Sequence, residues 1–72
     1  MTYGDKLQRR RVACFLSRRM LADLSGVHEH TIEYIERGFT RLPRPVTKAR
    51  LEAALREQEA RLEKERRETY GD

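Results

Sequence analysis

Apolar residues fall into three short clusters and one long, thinning one. Leu7, Val12, Cys14, Phe15 and Leu16 fit the partly buried face of a first helix, with Asp5 placed to cap its start. Ser17 reads as the cap of a second helix that turns Met20, Leu21 and Leu24 inward and stops at Ser25-Gly26, where glycine supplies a left-handed cap. A third helix is predicted from His28 or Glu29 to Arg37, with Ile32 and Ile35 on one side and Gly38 ending it. Residues 39–45 contain Pro43 and Pro45, which withdraw backbone donors and bias the preceding residues away from helix, so a loop is expected there.

From Val46 to Glu68 there is no helix breaker. Val46, Ala49, Leu51, Ala53, Ala54 and Leu55 can pack on the domain, whereas beyond Arg56 only Ala60 and Leu62 are apolar. The outer part is expected to rest on opposite-charge pairs one turn apart: Glu52/Arg56, Glu57/Arg61, Arg61/Glu65 and Glu63/Arg67. Three readings stay open for it: a solvated single helix, a dimer contact through Leu51, Leu55 and Leu62, or a frayed tail. The preferred one has its first half in the core and its second half assisting dimerisation. A coiled coil is disfavoured, because the heptad taking those leucines also takes Gln58 and Glu65.

Composition narrows the class. Seventy-two residues allow one domain with a small core, and 16 basic against 12 acidic residues give a formal charge of +4, which suits a polyanionic partner. The charge is uneven: +4 over residues 1–24, −2 over 25–40, +4 over 41–50 and −2 over 51–72. Cys14 is the only cysteine, so no internal disulfide and no multi-cysteine zinc site can form, and a reducing cytoplasm is the expected location. The longest apolar run, Val12 to Leu16, is far short of the roughly 20 residues of a membrane helix. No hydrophobic signal segment is evident, and a soluble, unsecreted chain is expected. The tetrapeptide Thr-Tyr-Gly-Asp occurs at both 2–5 and 69–72 and carries no evident physical meaning.

The stretch from Ser17 to Gly38 brings Leu21-Ala22, Gly26-Val27, Thr31-Ile32 and Ile35-Glu36-Arg37-Gly38 into one pattern. It resembles the phage-repressor/Cro-like (XRE-type) helix-turn-helix family. The likeness reaches upstream to Arg11 and downstream through Thr40-Arg41 and Pro43-Arg44 to Leu55, roughly residues 7–55. Each element has a physical role: Ala22 is small where two helices cross, Gly26 accepts the turn, and Val27, Ile32 and Ile35 fasten the third helix so that its far side can enter a major groove. The expected fold is all-α, a compact helix-turn-helix domain of four helices, the last long and charged. Residues 1–55 form the DNA-binding domain, and residues 56–72 a charged helical extension and frayed tail.

The resemblance implies a bacterial or phage regulator binding a double-stranded DNA operator as a homodimer, its two recognition helices about 34 Å apart in successive major grooves. It places Glu29, His30 and Tyr34 at base edges, with Thr31 and Glu33 beside them, and implies an inward-facing ion pair between Arg11 and Glu36. Glu29 can accept from cytosine N4, His30 can donate to guanine, and Tyr34 can meet a thymine methyl or a phosphate. Arg18 and Arg19 at the start of helix 2, His28, Arg41 and Arg44 in the loop, and Lys48 are the candidate phosphate contacts, with Arg50 nearby. The departure from the family's habit of Gln, Arg, Ser and Lys at this face is charge, since Glu29, Glu33 and Glu36 put negative charge close to phosphate.

Other chemistry is weak. His28, His30, Glu33 and Cys14 suggest a metal site only superficially, because His28 and His30, two apart in a helix, point to different sides. Cys14 reads as core rather than nucleophile. No enzyme, cofactor, metal, membrane or small-molecule ligand is expected. The competing class is a protein-interaction module such as an anti-repressor or antitoxin, favoured by the acidic third helix as the flanking arginines favour DNA.

Overall fold

The computed structural model describes residues 1–70, so Gly71 and Asp72, and with them the end of the expected frayed tail and of the second Thr-Tyr-Gly-Asp, lie outside the described residues. The described chain is all-helical: α1 Tyr3–Ala13, α2 Arg18–Ser25, α3 Glu29–Glu36 and α4 Pro45–Tyr70. Helix α4, 26 residues long, sets the long axis of a molecule measuring 45 × 24 × 19 Å.

Local chemistry explains the boundaries. Helix α1 starts three residues earlier than an Asp5 cap would place it, because Thr2, not Asp5, is its N-cap. The Thr2 hydroxyl accepts from the Asp5 N–H at 3.1 Å, and the Asp5 carboxylate accepts from the Thr2 N–H at 3.2 Å, a reciprocal capping box that uses Asp5 as its third helical residue. The bond from the Thr2 backbone also holds the Asp5 carboxyl below its ordinary range. Helix α2 is capped by Ser17, whose hydroxyl accepts from the Met20 N–H at 3.0 Å, and ends on Gly26 at φ 75°.

Helix α1 ends differently. The Leu16 N–H reaches back to the Arg11 carbonyl and the Phe15 N–H to that of Val12, which throws Phe15 into the left-handed region at φ 60°. Leu16 is thereby delivered to the core while the Phe15 ring stands 80% exposed. The expected inward face of α1 is thus corrected: Val12 and Phe15 lie outside, and Leu7, Arg11 and Cys14 lie inside. Met20 and Leu24 on α2 and Val46, Ala49 and Ala53 on α4 are likewise exposed rather than packed, because each helix buries only a narrow stripe.

The core joins Leu7, Cys14 and Leu16 to Leu21, to Val27, Ile32 and Ile35, and to Leu51, Ala54 and Leu55 of α4, with Tyr3, Ala22 and Leu62 packed at its edge. Burial of Leu51 and Leu55 within the chain's own core removes them as a dimer contact. Gly4 lies where α1 crosses the end of α3, and a Cβ there would overlap the Ile35 carbonyl and press on the Glu36 Cα. Helix preference alone would make Gly4→Ala stabilising. Backbone cannot yield as a side-chain tip can, so Gly4→Ala is expected instead to destabilise by about 1–3 kcal/mol in denaturant titration. An unchanged or higher midpoint would contradict this packing.

Helix α4 is tied to α1 by polar bonds. Arg10 grips both oxygens of Glu59, at 3.0 and 2.8 Å, and donates to Glu52 at 2.7 Å, while the Tyr3 hydroxyl donates to the other oxygen of Glu52 at 2.9 Å. Glu52 therefore faces α1 rather than Arg56. Of the pairs expected along α4, Glu57–Arg61 and Glu63–Arg67 form, at 3.7 and 3.5 Å. Burial would push the Glu52 carboxyl up, but the bonds from Arg10 and Tyr3 and the Arg10 charge together hold it below its usual range.

Burial, then the bond to Glu52, pushes the Tyr3 hydroxyl from 10.0 up to about 12. A raised native pKa means that the folded state keeps the proton longer. The Tyr3 contribution is accordingly complete below pH 10 and lost as the pH rises toward about 12. Denaturant titrations across that window are expected to show a loss of stability smaller in Tyr3→Phe than in the parent. Identical slopes would mean that Tyr3 does not titrate in this setting.

Candidate nucleic-acid interface

Helix α3 projects from a rigid frame. Its inner side, Ile32, Ile35 and Glu36, is buried together with Val27 of the preceding turn, which leaves the opposite side to solvent. The Ser25 hydroxyl accepts from the Val27 N–H at 3.1 Å and fixes the turn after Gly26. His28 is the N-cap of α3, its Nδ1 accepting from the His30 N–H at 3.0 Å, so that nitrogen carries no proton in this arrangement. The two imidazoles lie with centroids 5.0 Å apart. The sequence expectation that they diverge is corrected, because His28 precedes the helix and does not follow its 100° rotation.

The outward side carries His30, Tyr34 and Arg37, with Glu29 and Thr31 exposed at its margins and Glu33 half-buried. Arg37, whose side chain is largely exposed, is a residue that sequence reasoning passed over. It stands three positions after Tyr34 and seven after His30, on the same face, and this spacing was the available signal. Arg37 lies 3.5 Å from the Glu33 carboxylate.

Beneath this face, Arg11 and Glu36 meet. The Arg11 Nε and Nη2 donate to the two Glu36 oxygens at 2.7 and 3.0 Å, and Nη1 donates to the Leu16 carbonyl at 2.9 Å. Their side chains are only 10% and 1% exposed. Arg18 joins them, its Nε donating to Glu36 at 2.9 Å, so one carboxylate ties α1, α2 and α3 together. Of the three carboxylates on α3, Glu36 and Glu33 are thus compensated from within. Glu29 remains, in the first helical turn, where the helix dipole tolerates negative charge.

The candidate phosphate contacts divide. Arg18 is held by Glu36, and Lys48 lies 5.2 Å over the Tyr3 ring, a cation–π contact directed at α1. Arg19, Arg41 and Arg44 are exposed, and among the described residues none of them has a carboxylate within ion-pairing distance. The loop from Phe39 to Arg44 folds back beside α3: Thr31, Thr40, Pro43, Arg44 and Thr47 line a shallow cleft of about 260 Å³. This brings Arg44 to the edge of the outward face of α3.

A helix-turn-helix domain family matches residues 2–64, nearly the whole described chain. The chain belongs to this family of DNA-binding helix-turn-helix domains. No curated protein and no solved structure matches it. The match spans α1, α2 and α3 and continues into the outer half of α4, to residue 64. Among the described residues no helix is long and apolar enough to cross a membrane, and no three metal-ligating side chains cluster.

Proposed function

We propose that the chain is a sequence-specific regulator of transcription that inserts α3 into the major groove of double-stranded DNA, acting in the cytoplasm of a bacterium or a phage-infected host. The observation that carries this reading is the internal neutralisation of α3. With Glu36 bound by Arg11 and Arg18 and Glu33 beside Arg37, His30, Thr31 and Tyr34 are presented with most of the helix's negative charge compensated. Uncompensated acidic charge on α3 would favour a protein partner, and among the described residues only Glu29 of its three carboxylates is left without a cation. His30 and Glu29 would read base edges, Tyr34 a thymine methyl or a phosphate, and Arg19, Arg41 and Arg44 the phosphates. A homodimer would place two such helices one turn of DNA apart, using surfaces other than Leu51 and Leu55.

Binding to a duplex selected from a random library, measured against salt with a scrambled duplex alongside, tests the proposal. Arg19→Ala, Arg41→Ala and Arg44→Ala are expected to weaken both duplexes by similar factors and to flatten log K against log salt by about one unit each. His30→Ala should instead narrow the gap between the two duplexes, with a penalty of about 1–3 kcal/mol at one base pair. Absence of salt-dependent binding at about 50 mM salt, where non-specific contacts alone should register, would rule the proposal out.

A further inference from the structure

Helix α3 ends in a tight cap that places an aromatic ring at the border of the outward face. The Gly38 N–H bonds to the Ile35 carbonyl at 3.1 Å and the Phe39 N–H to the Tyr34 carbonyl at 2.9 Å, with Gly38 at φ 86°. This geometry fixes Phe39 over the last turn, where its ring meets that of Tyr34 edge-on, centroids 5.7 Å apart. A cap of this kind gains from an apolar contact, yet here the contact covers little: Phe39 remains 70% exposed and Tyr34 53%. Phe39 stands in the segment 37–44, which carries Arg37, Arg41 and Arg44 and no acidic residue, so the two rings left in water form an apolar feature in a basic stretch. Charge complementarity makes a polyanion the fitting occupant, and the apolar feature that duplex DNA presents in its major groove is the thymine 5-methyl group.

We propose that Phe39, held against Tyr34 by the α3 cap, reads a thymine methyl at the edge of the site and is a specificity-determining residue outside the recognition helix. The proposal rests on the DNA-binding reading above. Phe39 supplies a rigid apolar ring and Tyr34 its support, while Arg41 and Arg44 engage phosphate without distinguishing bases.

The test uses the full chain and the duplex it selects from a random library. Each thymine is replaced in turn by deoxyuridine, which removes the methyl and leaves hydrogen bonding intact. At one position the replacement is expected to weaken the parent about fourfold, the value of one buried methyl-sized group. Phe39→Ala should bind the thymine and uracil duplexes equally, with the parent's salt slope. Phe39→Gln, whose stem can still lie on Tyr34, should do the same and serves where the alanine variant folds poorly. A cap contact alone would shift the melting temperature and leave the parent indifferent to uracil. Indifference at every thymine, or methyl effects that all persist in Phe39→Gln, overturns the proposal while DNA binding stands. Failure to select any duplex overturns the DNA-binding reading and this one with it.

Discussion

Glu36→Ala is expected to destabilise the domain by about 3–5 kcal/mol, because it strands the Arg11 guanidinium between helices with its chief partner gone. A 72-residue domain has a total stability of roughly 4–11 kcal/mol, so this one change removes about a quarter of it or more. At about 4–8 °C per kcal/mol, the melting temperature should fall by at least about 12 °C. Arg11→Ala should cost less, since Glu36 keeps the bond from Arg18 at 2.9 Å and the group left without its charged donor is the Leu16 carbonyl. Replacing Arg11 and Arg18 together should restore a loss close to that of Glu36→Ala, because either route leaves buried charge unpaired. A thermal shift below about 4 °C for Glu36→Ala would mean that the cluster is solvated and that α3 is held by its isoleucines alone. The same cluster links stability to recognition, since Arg18 lowers the charge of the helix that is proposed to enter the groove.

Leu55→Ala should cost about 2–5 kcal/mol and Leu62→Ala less than about 1 kcal/mol, although one helix carries both. Leu55 is 0% exposed and enclosed by the core, so truncation leaves a cavity. Leu62 is only half-buried at the edge of the core, and water can occupy the space it vacates. The contrast bears on the proposed division of the chain near residue 55, with the outer turns of α4 as an extension of limited local stability. Amide exchange should report the same gradient, with strong protection at Leu51 and Leu55, intermediate protection near Glu59 where Arg10 clamps the helix, and weak protection toward Glu68. Equal losses from the two leucine substitutions would place the outer turns inside the cooperative unit. A concentration-dependent melting temperature that disappears in Leu62→Ala would assign that residue to contact between two copies.

Several features follow from the sequence because they depend on neighbours only. Ser17 as a cap, Gly26 and Gly38 as left-handed stops, the prolines that delay the fourth helix to Pro45, and the inward set Leu21, Val27, Ile32 and Ile35 are dictated by backbone preference and helical spacing. The all-helical class and the helix-turn-helix unit are therefore legible directly. So was the inward placing of Arg11 and Glu36, though only by likeness to a family, since spacing alone cannot pair residues 25 positions apart.

Tertiary structure decided the remainder, and for one reason: the partner of a long side chain is set by which helices cross and where. Val12, Phe15, Met20, Leu24 and Val46 are apolar and sit within reach of helical faces, but each helix offers only a narrow contact stripe, so they remain outside it. Arg10 chose Glu52 and Glu59 across 42 and 49 residues of sequence over any local partner, Arg18 turned inward to Glu36, and Lys48 turned to Tyr3. These choices determine which cations stay available to a phosphate. The sequence by itself determined a basic helix-turn-helix chain with an acidic third helix. The crossing of α1 and α2 over α3 decided that Glu36, one of its three carboxylates, is cancelled from beneath, because a buried carboxylate must be paired and the two arginines brought to Glu36 lie on different helices.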